Sequence, residues 1–342
     1  SWDNPDSKNN NSSTITNQSK TLKNRKVVYL NQKVYLPVNF GERIEYINSL
    51  FENEEIGFIV SYAPLAETSS SYEMGKYFKL KLKTIFEIAS GILFYFFKTF
   101  MIELPQNDEK DKKSKEQKEI VERTPDQILQ SKKFKSIDEI CILYQDICAW
   151  AGVKIITIPG FLKKSGYKVG DSLVKHKWCL LSCPNSKQFL IDPYLTIHKS
   201  TPQKKENEDT QDPEQIKPFY FLTPPEFFIE NHMPDDEKYQ CLNKTIKVRE
   251  FTKRAQTDTE AFYNSVFKYK IQLQNYYYPE FQCKDSEIVI KFMVENMDLS
   301  VECLCNGRKL PEDKVSITDN NFRSKYETKL IFPGNGEYKL II

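Results

Sequence analysis

Apolar residues recur at helical spacing in the first third of the chain. Between residues 72 and 104 the three- and four-residue steps predict one face of an amphipathic helix, formed by Ile85, Ile88, Ile92, Leu93, Phe96 and Phe100. The most apolar run, residues 88–97, is far shorter than the roughly 20 residues that a membrane-spanning helix needs. We therefore expect a buried core helix here and no membrane partner.

A second helix is predicted over residues 137–151, with one apolar face made of Ile137, Ile140, Cys141, Tyr144, Ile147, Cys148 and Ala151. Its start is marked by Ser136 and Glu139, which have the spacing of a capping box. Ser136 is therefore expected to be the N-cap, and Ile137 the first helical residue.

Strand patterns dominate the rest of the chain. Short strand-like runs are predicted at residues 154–158, 177–182 and 188–191. From about residue 265 the pattern becomes all-β, with strands predicted over residues 286–294, 299–304, 314–318, 327–332 and 337–342. Turn sequences such as Asn306-Gly307 separate these strands. This spacing is typical of a small β-sandwich, so the sequence predicts an α+β protein.

Three polar segments divide the chain. Residues 1–25 are rich in Ser, Asn and Lys, which predicts a disordered or extended tail. Residues 105–124 and 199–218 are charged inserts. We expect a mixed helix and strand domain over residues 26–250 that contains both inserts. A β-sandwich is expected over residues 251–342, with further domains following because the chain ends inside a predicted strand.

Composition excludes several classes of function. The 342 residues suggest two or three domains, and 49 Lys and Arg against 47 Asp and Glu leave a net charge of +2. This balance gives no general attraction for nucleic acid or acidic membranes. The eight cysteines form neither a CxxC pair nor a spaced Cys/His quartet, so we expect no metal site and no cofactor. Sparse cysteines in apolar stretches suit reduced thiols in the cytoplasm.

The candidate chemistry lies among the histidines, of which the chain has three: His176, His198 and His232. His176 is followed sixteen residues later by Asp192. A carboxylate on the neighbouring strand can fix the tautomer of an imidazole, as the orienting member of a catalytic triad does. An isolated His–Asp pair is nevertheless more often structural than catalytic.

Several motifs around this pair resemble the transglutaminase-like superfamily. They are ICAWAGV at residues 147–153, IPGFLK at 158–163, His176-Lys177-Trp178, and LIDP at 190–193. A closer likeness is to the kyphoscoliosis-peptidase branch, through YFLTPPEFF at residues 220–228, the run 229–242 and the segment 329–338. The resemblance covers about residues 55–342. It implies a papain-like thiol-hydrolase domain with a Cys–His–Asp triad, followed by an immunoglobulin-like β-sandwich.

The chain departs from this pattern at the nucleophile. Counting back from Cys148 in the family register places the catalytic cysteine at position 137, where this chain has Ile137. Cys141 is the alternative, but four residues further along the helix it would lie about 5–6 Å too deep. Ser136 is explained by its capping role, and no cysteine occurs between Phe86 and Ile140 to accommodate a small register error.

These features predict a pseudoenzyme that retains the triad residues His176 and Asp192 without a nucleophile. The resemblance implies a structural, protein-binding component of a cytoskeletal assembly. The Lys/Asn-rich composition resembles that of proteins from AT-rich protist genomes, including ciliates, and so favours a ciliary axoneme. The alternative is an active thiol peptidase or transglutaminase that uses Cys141. A third hypothesis is a catalytically inactive domain that still binds peptide in a cleft lined by Trp178 and Ser136.

Overall fold

The computed structural model describes most of the chain in separate stretches. These are residues 29–31, 36, 40–63, 70–104, 122–164, 166–185, 187–198, 216–254, 272–273, 283–294, 300–320 and 325–341. The predicted tail and most of both predicted inserts lie outside the described residues. The predicted domain boundary after residue 250 lies in a described stretch, but the residues that follow it, 255–271, are not described. The domain limits therefore stay predictions.

Helices form most of the first part of the chain. In order they are α1 (Phe40–Glu52), α2 (Glu54–Tyr62), α3 (Ser71–Lys81), α4 (Ile85–Thr99), α5 (Pro125–Ser131), α6 (Ile137–Ala151), α7 (Pro193–Ile197), α8 (Pro225–Phe228) and α9 (Val248–Phe251). Short 3₁₀ turns cover Pro218–Tyr220, Glu237–Gln240 and Glu312–Lys314. Within the described stretches, no helix has the length and apolar character required to cross a membrane.

Helix α4 is the predicted core helix. Thr84 caps it, because the Thr84 hydroxyl accepts the N–H of Glu87 while the Glu87 carboxylate accepts the N–H of Thr84. Eleven of its fifteen residues are buried, so the helix is enclosed on nearly all sides rather than along one face. The prediction of a buried helix is confirmed, and the prediction of a single apolar face is too narrow.

Helix α6 begins and ends where the sequence predicted. The Ser136 hydroxyl accepts the N–H of Glu139 at 3.2 Å, and Gly152 ends the helix with a positive φ of 87°. Only half of the predicted capping box forms. The Glu139 carboxylate turns away and accepts from the N–H of Lys135 and from the Arg123 guanidinium, the latter at 2.7 and 2.5 Å.

A four-stranded antiparallel sheet packs against α6. Its strands are β3 (Lys154–Leu162), β4 (Val174–Ser182), β5 (Gln188–Ile191) and β6 (His232–Pro234), in the order β5-β4-β3-β6. A small parallel pair, β1 (Met101–Ile102) with β2 (Lys133–Phe134), precedes it. Buried residues of α1 to α6 and of one face of the four-stranded sheet share a single core.

The end of the chain is all-β in its described residues, as predicted. The strands are β7 (Gln272–Leu273), β8 (Glu287–Met293), β9 (Glu302–Cys305), β10 (Arg308–Lys309), β11 (Val315–Asn320), β12 (Lys325–Ile331) and β13 (Tyr338–Ile341). They form a three-stranded sheet, β10-β9-β13, and a four-stranded sheet, β11-β12-β8-β7, whose apolar residues meet in one core. The α+β class is therefore observed, and the immunoglobulin-like character of the sandwich stays a prediction.

Candidate functional site

His176 and Asp192 lie side by side where the edge strand β5 ends next to β4. His176 is on β4, and Asp192 directly follows β5, the strand that pairs with β4. The Nε2 atom of His176 and the Oδ2 atom of Asp192 are 2.5 Å apart. Antiparallel pairing thus brings together two residues that are sixteen positions apart.

Local backbone structure fixes the Asp192 carboxylate in place. Asp192 is the N-cap of α7, and its Oδ1 atom accepts the N–H of Leu195 at 2.9 Å. Pro193 occupies the first turn, where the absence of a backbone N–H removes no hydrogen bond of the helix. The Asp192 N–H itself donates to the carbonyl of Tyr220. In this Asp-Pro sequence after a strand, the first turn of α7 therefore binds Oδ1 of Asp192, and Oδ2 contacts the imidazole of His176.

The structure adds His232, which the sequence did not assign to this site. His232 opens β6, the strand that pairs with β3 on the opposite side from β4. Its Nε2 atom lies 2.9 Å from Oδ2 of Asp192, and its Nδ1 atom lies 3.3 Å from the carbonyl oxygen of Phe228. Asp192 is therefore shared between two imidazoles, and the three residues form a His–Asp–His cluster.

The charges in this cluster influence one another strongly. Burial opposes ionisation of Asp192, but the positive charge and hydrogen bonds of His176 and His232 outweigh it and hold the pKa of the carboxyl below its usual range. Burial lowers the pKa of the His232 imidazole, and the hydrogen bond to Asp192 only partly offsets this effect. The site therefore favours an ionised carboxylate.

The cluster is closed to solvent in the described structure. His176 is 4% exposed, His232 1% and Asp192 0%. Trp178, predicted to line a cleft, is 1% exposed, and its ring centroid lies 6.3 Å from that of His176 and 5.3 Å from that of His232. Its indole N–H is buried and has no hydrogen-bond partner among the described residues. A substrate could not reach His176 without displacement of this cover.

The start of α6 faces the same strand as His176. Ile137 is half-buried and packs against the main core, and the next residue, Asp138, forms an ion pair with Lys177 at 2.9 Å. Lys177 is the neighbour of His176 on β4. The helix N-terminus at Ser136 and Ile137, where the family resemblance implies a thiolate, thus lies beside the histidine strand and carries an aliphatic side chain.

Cys141 lies one turn deeper and is fully buried. Its thiol lies 3.6 Å from the carbonyl oxygen of Lys177 and also contacts Cys179. The hydrogen bond with Cys179 and the burial of the thiol raise the pKa of Cys141 well above its usual range. Catalytic cysteines have the opposite property, because a lowered pKa supplies the thiolate that attacks the substrate.

The three clustered residues have the chemistry of metal ligands. One potential ligand atom from each of His176, Asp192 and His232 lies within 4.8 Å of the other two. The sequence had predicted no metal site, because it considered only cysteine-containing patterns. As a general-base pair, the Asp192 carboxylate can orient the His176 imidazole, which can accept a proton from a nucleophile. The described structure, however, places no thiol at the start of α6.

Comparison with known proteins finds relatives for part of the chain. Kyphoscoliosis peptidases of Mus musculus and Homo sapiens are each 30% identical to it over 147 residues, which is 41% of this chain and 20% of each relative. Hillarin of Drosophila melanogaster is 27% identical over 118 residues, which is 32% of this chain and 14% of the relative. A LIM and transglutaminase domain protein of Caenorhabditis elegans is 26% identical over 117 residues.

The match is limited in extent. It spans about a fifth of the length of the kyphoscoliosis peptidases and a smaller share of hillarin. No model of a known protein family matches the chain. These four relatives, together with the motifs at residues 147–193 and 220–228, relate the chain to transglutaminase-like proteins similar to kyphoscoliosis peptidase.

Proposed function

We propose that this chain is a non-catalytic transglutaminase-like protein that acts by binding other proteins. The observation that carries this proposal is that α6 begins at Ile137, which supplies no thiol at the position where the family resemblance implies the nucleophile. Without a nucleophile, a His–Asp pair has no group to deprotonate, and acyl transfer has no first step. The closed cover over His176 supports the same proposal.

The rival function is a thiol peptidase or transglutaminase that uses Cys141. Three observations weigh against it: the thiol is fully buried, it lies within hydrogen-bonding distance of the Lys177 carbonyl, and its pKa is raised. A fourth is that Asp192 and Asp138, both negative, raise this pKa further. These conditions disfavour the thiolate that the rival mechanism requires.

Alkylation of the natural chain tests the rival function directly. We expect iodoacetamide at neutral pH to modify the exposed Cys283 and to leave Cys141 unmodified, as read by peptide mass spectrometry. Because the Cys141 pKa is raised, its labelling should increase only as the pH rises beyond the range of an ordinary thiol. Rapid labelling of Cys141 at neutral pH that His176→Ala abolishes would instead support an active enzyme.

Placing a cysteine at the start of α6 tests the proposed nucleophile position. A helix N-terminus stabilises an anion, so Ile137→Cys should create a thiol with a lowered pKa. We expect it to react with iodoacetamide about tenfold faster than Cys283 at neutral pH, which corresponds to a pKa difference of about one unit. Ile137→Ser is the matched control. If the new thiol is as inert as Cys141, position 137 is not the site of the lost nucleophile.

We further propose that the partner is a cytoskeletal polymer, with axonemal microtubules as the leading candidate. This part rests on the family resemblance and on the Lys/Asn-rich composition rather than on a described surface. Binding through surfaces other than the old active site agrees with the burial of Trp178, which leaves no open cleft for a peptide in the described structure.

Co-sedimentation with purified polymers tests this assignment. We expect the full chain to pellet with taxol-stabilised microtubules and to remain in the supernatant with actin filaments. Because the proposed contact does not use the old triad, Ile137→Ser should pellet to the same extent as the natural chain. A chain that stays in the supernatant with both polymers would contradict the cytoskeletal assignment. It would not bear on the proposed loss of catalysis, which the alkylation experiments test separately.

A further inference from the structure

Both ring nitrogens of His232 face hydrogen-bond acceptors. The Nδ1 atom lies 3.3 Å from the carbonyl oxygen of Phe228, and the Nε2 atom lies 2.9 Å from Oδ2 of Asp192. A neutral imidazole has a single N–H, so it can donate to only one of these two oxygens. The other contact brings two acceptors together unless a second proton or a metal ion lies between them.

We propose that His176, Asp192 and His232 together bind one divalent metal ion of the zinc type. The proposal goes beyond the non-catalytic function, since it concerns what occupies the former triad rather than which partner the protein binds. The three side chains come from three different elements, β4, the start of α7 and β6, and their potential ligand atoms lie within 4.8 Å of one another.

The groups behind these ligands resemble those of known metal sites. A metal-bound imidazole usually donates its other N–H to a carbonyl or carboxylate, and a metal-bound carboxylate is itself hydrogen-bonded. The Phe228 carbonyl fulfils the first role for His232, and the backbone N–H of Leu195 fulfils the second for Asp192. Both ligands therefore have the supporting hydrogen bonds that are usual behind metal ligands.

A second observation points to a ligand at the same place. The buried indole N–H of Trp178, which packs against both imidazoles, lacks an acceptor among the described residues. A water molecule as the fourth metal ligand would provide one.

The ligand set limits the choice of metal. Two imidazole nitrogens and one carboxylate oxygen suit Zn²⁺ or Co²⁺, and zinc commonly has three protein ligands and one water. Metal–ligand bonds of about 2.0–2.1 Å in a tetrahedron place ligand atoms about 3.3 Å apart. The 2.5 and 2.9 Å separations of the His–Asp–His cluster must therefore widen by less than about 1 Å, through side-chain rotation.

Cobalt titration of the full chain tests the proposal. After removal of bound metal with a chelator, we expect one equivalent of Co²⁺ to produce visible d–d absorption without the near-ultraviolet band of a thiolate ligand. His232→Gln should weaken Co²⁺ binding by at least about tenfold, the range known for disturbed metal sites. His198→Gln removes the remaining histidine, which lies outside the cluster, and should leave the affinity unchanged.

Three results would overturn the proposal. The first is a natural chain that binds neither Co²⁺ nor Zn²⁺. The second is an affinity that His232→Gln and His176→Gln leave unchanged, and the third is a thiolate band, which would assign the metal to cysteines. If His232→Gln does not fold, X-ray absorption of the zinc-loaded natural chain decides between an imidazole shell and a sulfur shell. None of these measurements depends on microtubule binding or alkylation.

Discussion

Asp192→Ala is expected to lower the free energy of unfolding of the metal-free chain by about 3–5 kcal/mol. This range is typical when one partner is removed from a buried charged pair, because the remaining groups lose their counter-charge inside the protein. Here two buried imidazoles, His176 and His232, lose their common acceptor. Loss of the N-cap of α7 contributes about 1 kcal/mol of the total. Urea unfolding followed by tryptophan fluorescence measures the change.

Asp138→Ala is the matched control for this substitution. Asp138 also lies at the start of a helix, in the first turn of α6, and also pairs with a cation, Lys177, but its side chain is 51% exposed. Exposed pairs contribute less than about 1 kcal/mol, so the control should unfold close to the natural midpoint. Equal losses in the two variants would contradict the buried His–Asp–His cluster. Asp192→Asn keeps the N-cap of α7, so its loss of unfolding free energy should lie between those of Asp192→Ala and Asp138→Ala.

Gly160→Ala is the second substitution with a large expected effect. Gly160 lies on β3 between His176 of β4 and Pro234 of β6, and no room exists for a side chain. An alanine β-carbon would lie 2.5 Å from the ring of Trp178, 2.8 Å from the Cα of Pro234, and closer still to the carbonyl oxygen of Met233. Overpacking costs about 1–3 kcal/mol, and a clash with backbone places this variant at the upper end.

The physical consequence is displacement of β6. Because the neighbouring backbone of Met233 cannot rotate away as a side chain can, the strand must move, and His232 moves with it. We expect the variant to lose stability and, in the same sample, the His232–Asp192 contact, which imidazole ¹⁵N NMR reports. Gly57→Ala is the control, since its nearest contact would be an ordinary 3.8 Å to Phe94. A Gly160→Ala variant as stable as this control would contradict the close pairing of β3 and β6.

Local signals made part of this fold predictable. Helix α6 was predicted from residue 137 to residue 151 because a capping serine and a regular apolar face agree. The pairing of His176 with Asp192 was also predictable, since a short connection joins their strands β4 and β5. In each case the determining contacts lie within about a dozen and a half residues of one another, where sequence patterns carry most information.

His232 could not be assigned in the same way. Its strand is three residues long and shows no period, and it pairs with β3, some seventy positions earlier. The charged segment between residues 199 and 215 further separates it from Asp192. The available signal was the likeness of the run 229–242 to the kyphoscoliosis-peptidase branch, which indicated a retained segment without indicating what it contacts.

Helix α3 falls almost entirely in the range of residues 72–104 where the sequence predicted one helix, and the structure has two helices there, α3 and α4. Gly75 lies in the middle of α3, and glycine costs about 1 kcal/mol relative to alanine in a helix interior. The structure shows why it is there: an added β-carbon would approach the carbonyl of Ile147 at 2.7 Å and the N–H nitrogen of Ala151 at 2.9 Å. The close contact between α3 and α6 therefore requires glycine at position 75, although glycine has a low helix propensity.

The position of β6 also bears on how the protein is made. During synthesis, β4, β5 and α7 emerge from the ribosome well before β6, which is separated from Asp192 by about forty residues. Until β6 arrives, the edge of β3 is unpaired and the carboxylate has one imidazole instead of two. Domains complete their folding only when such distant contacts form. The nascent chain therefore exposes an open sheet edge for this interval, and this is the stage at which a chaperone would be needed most.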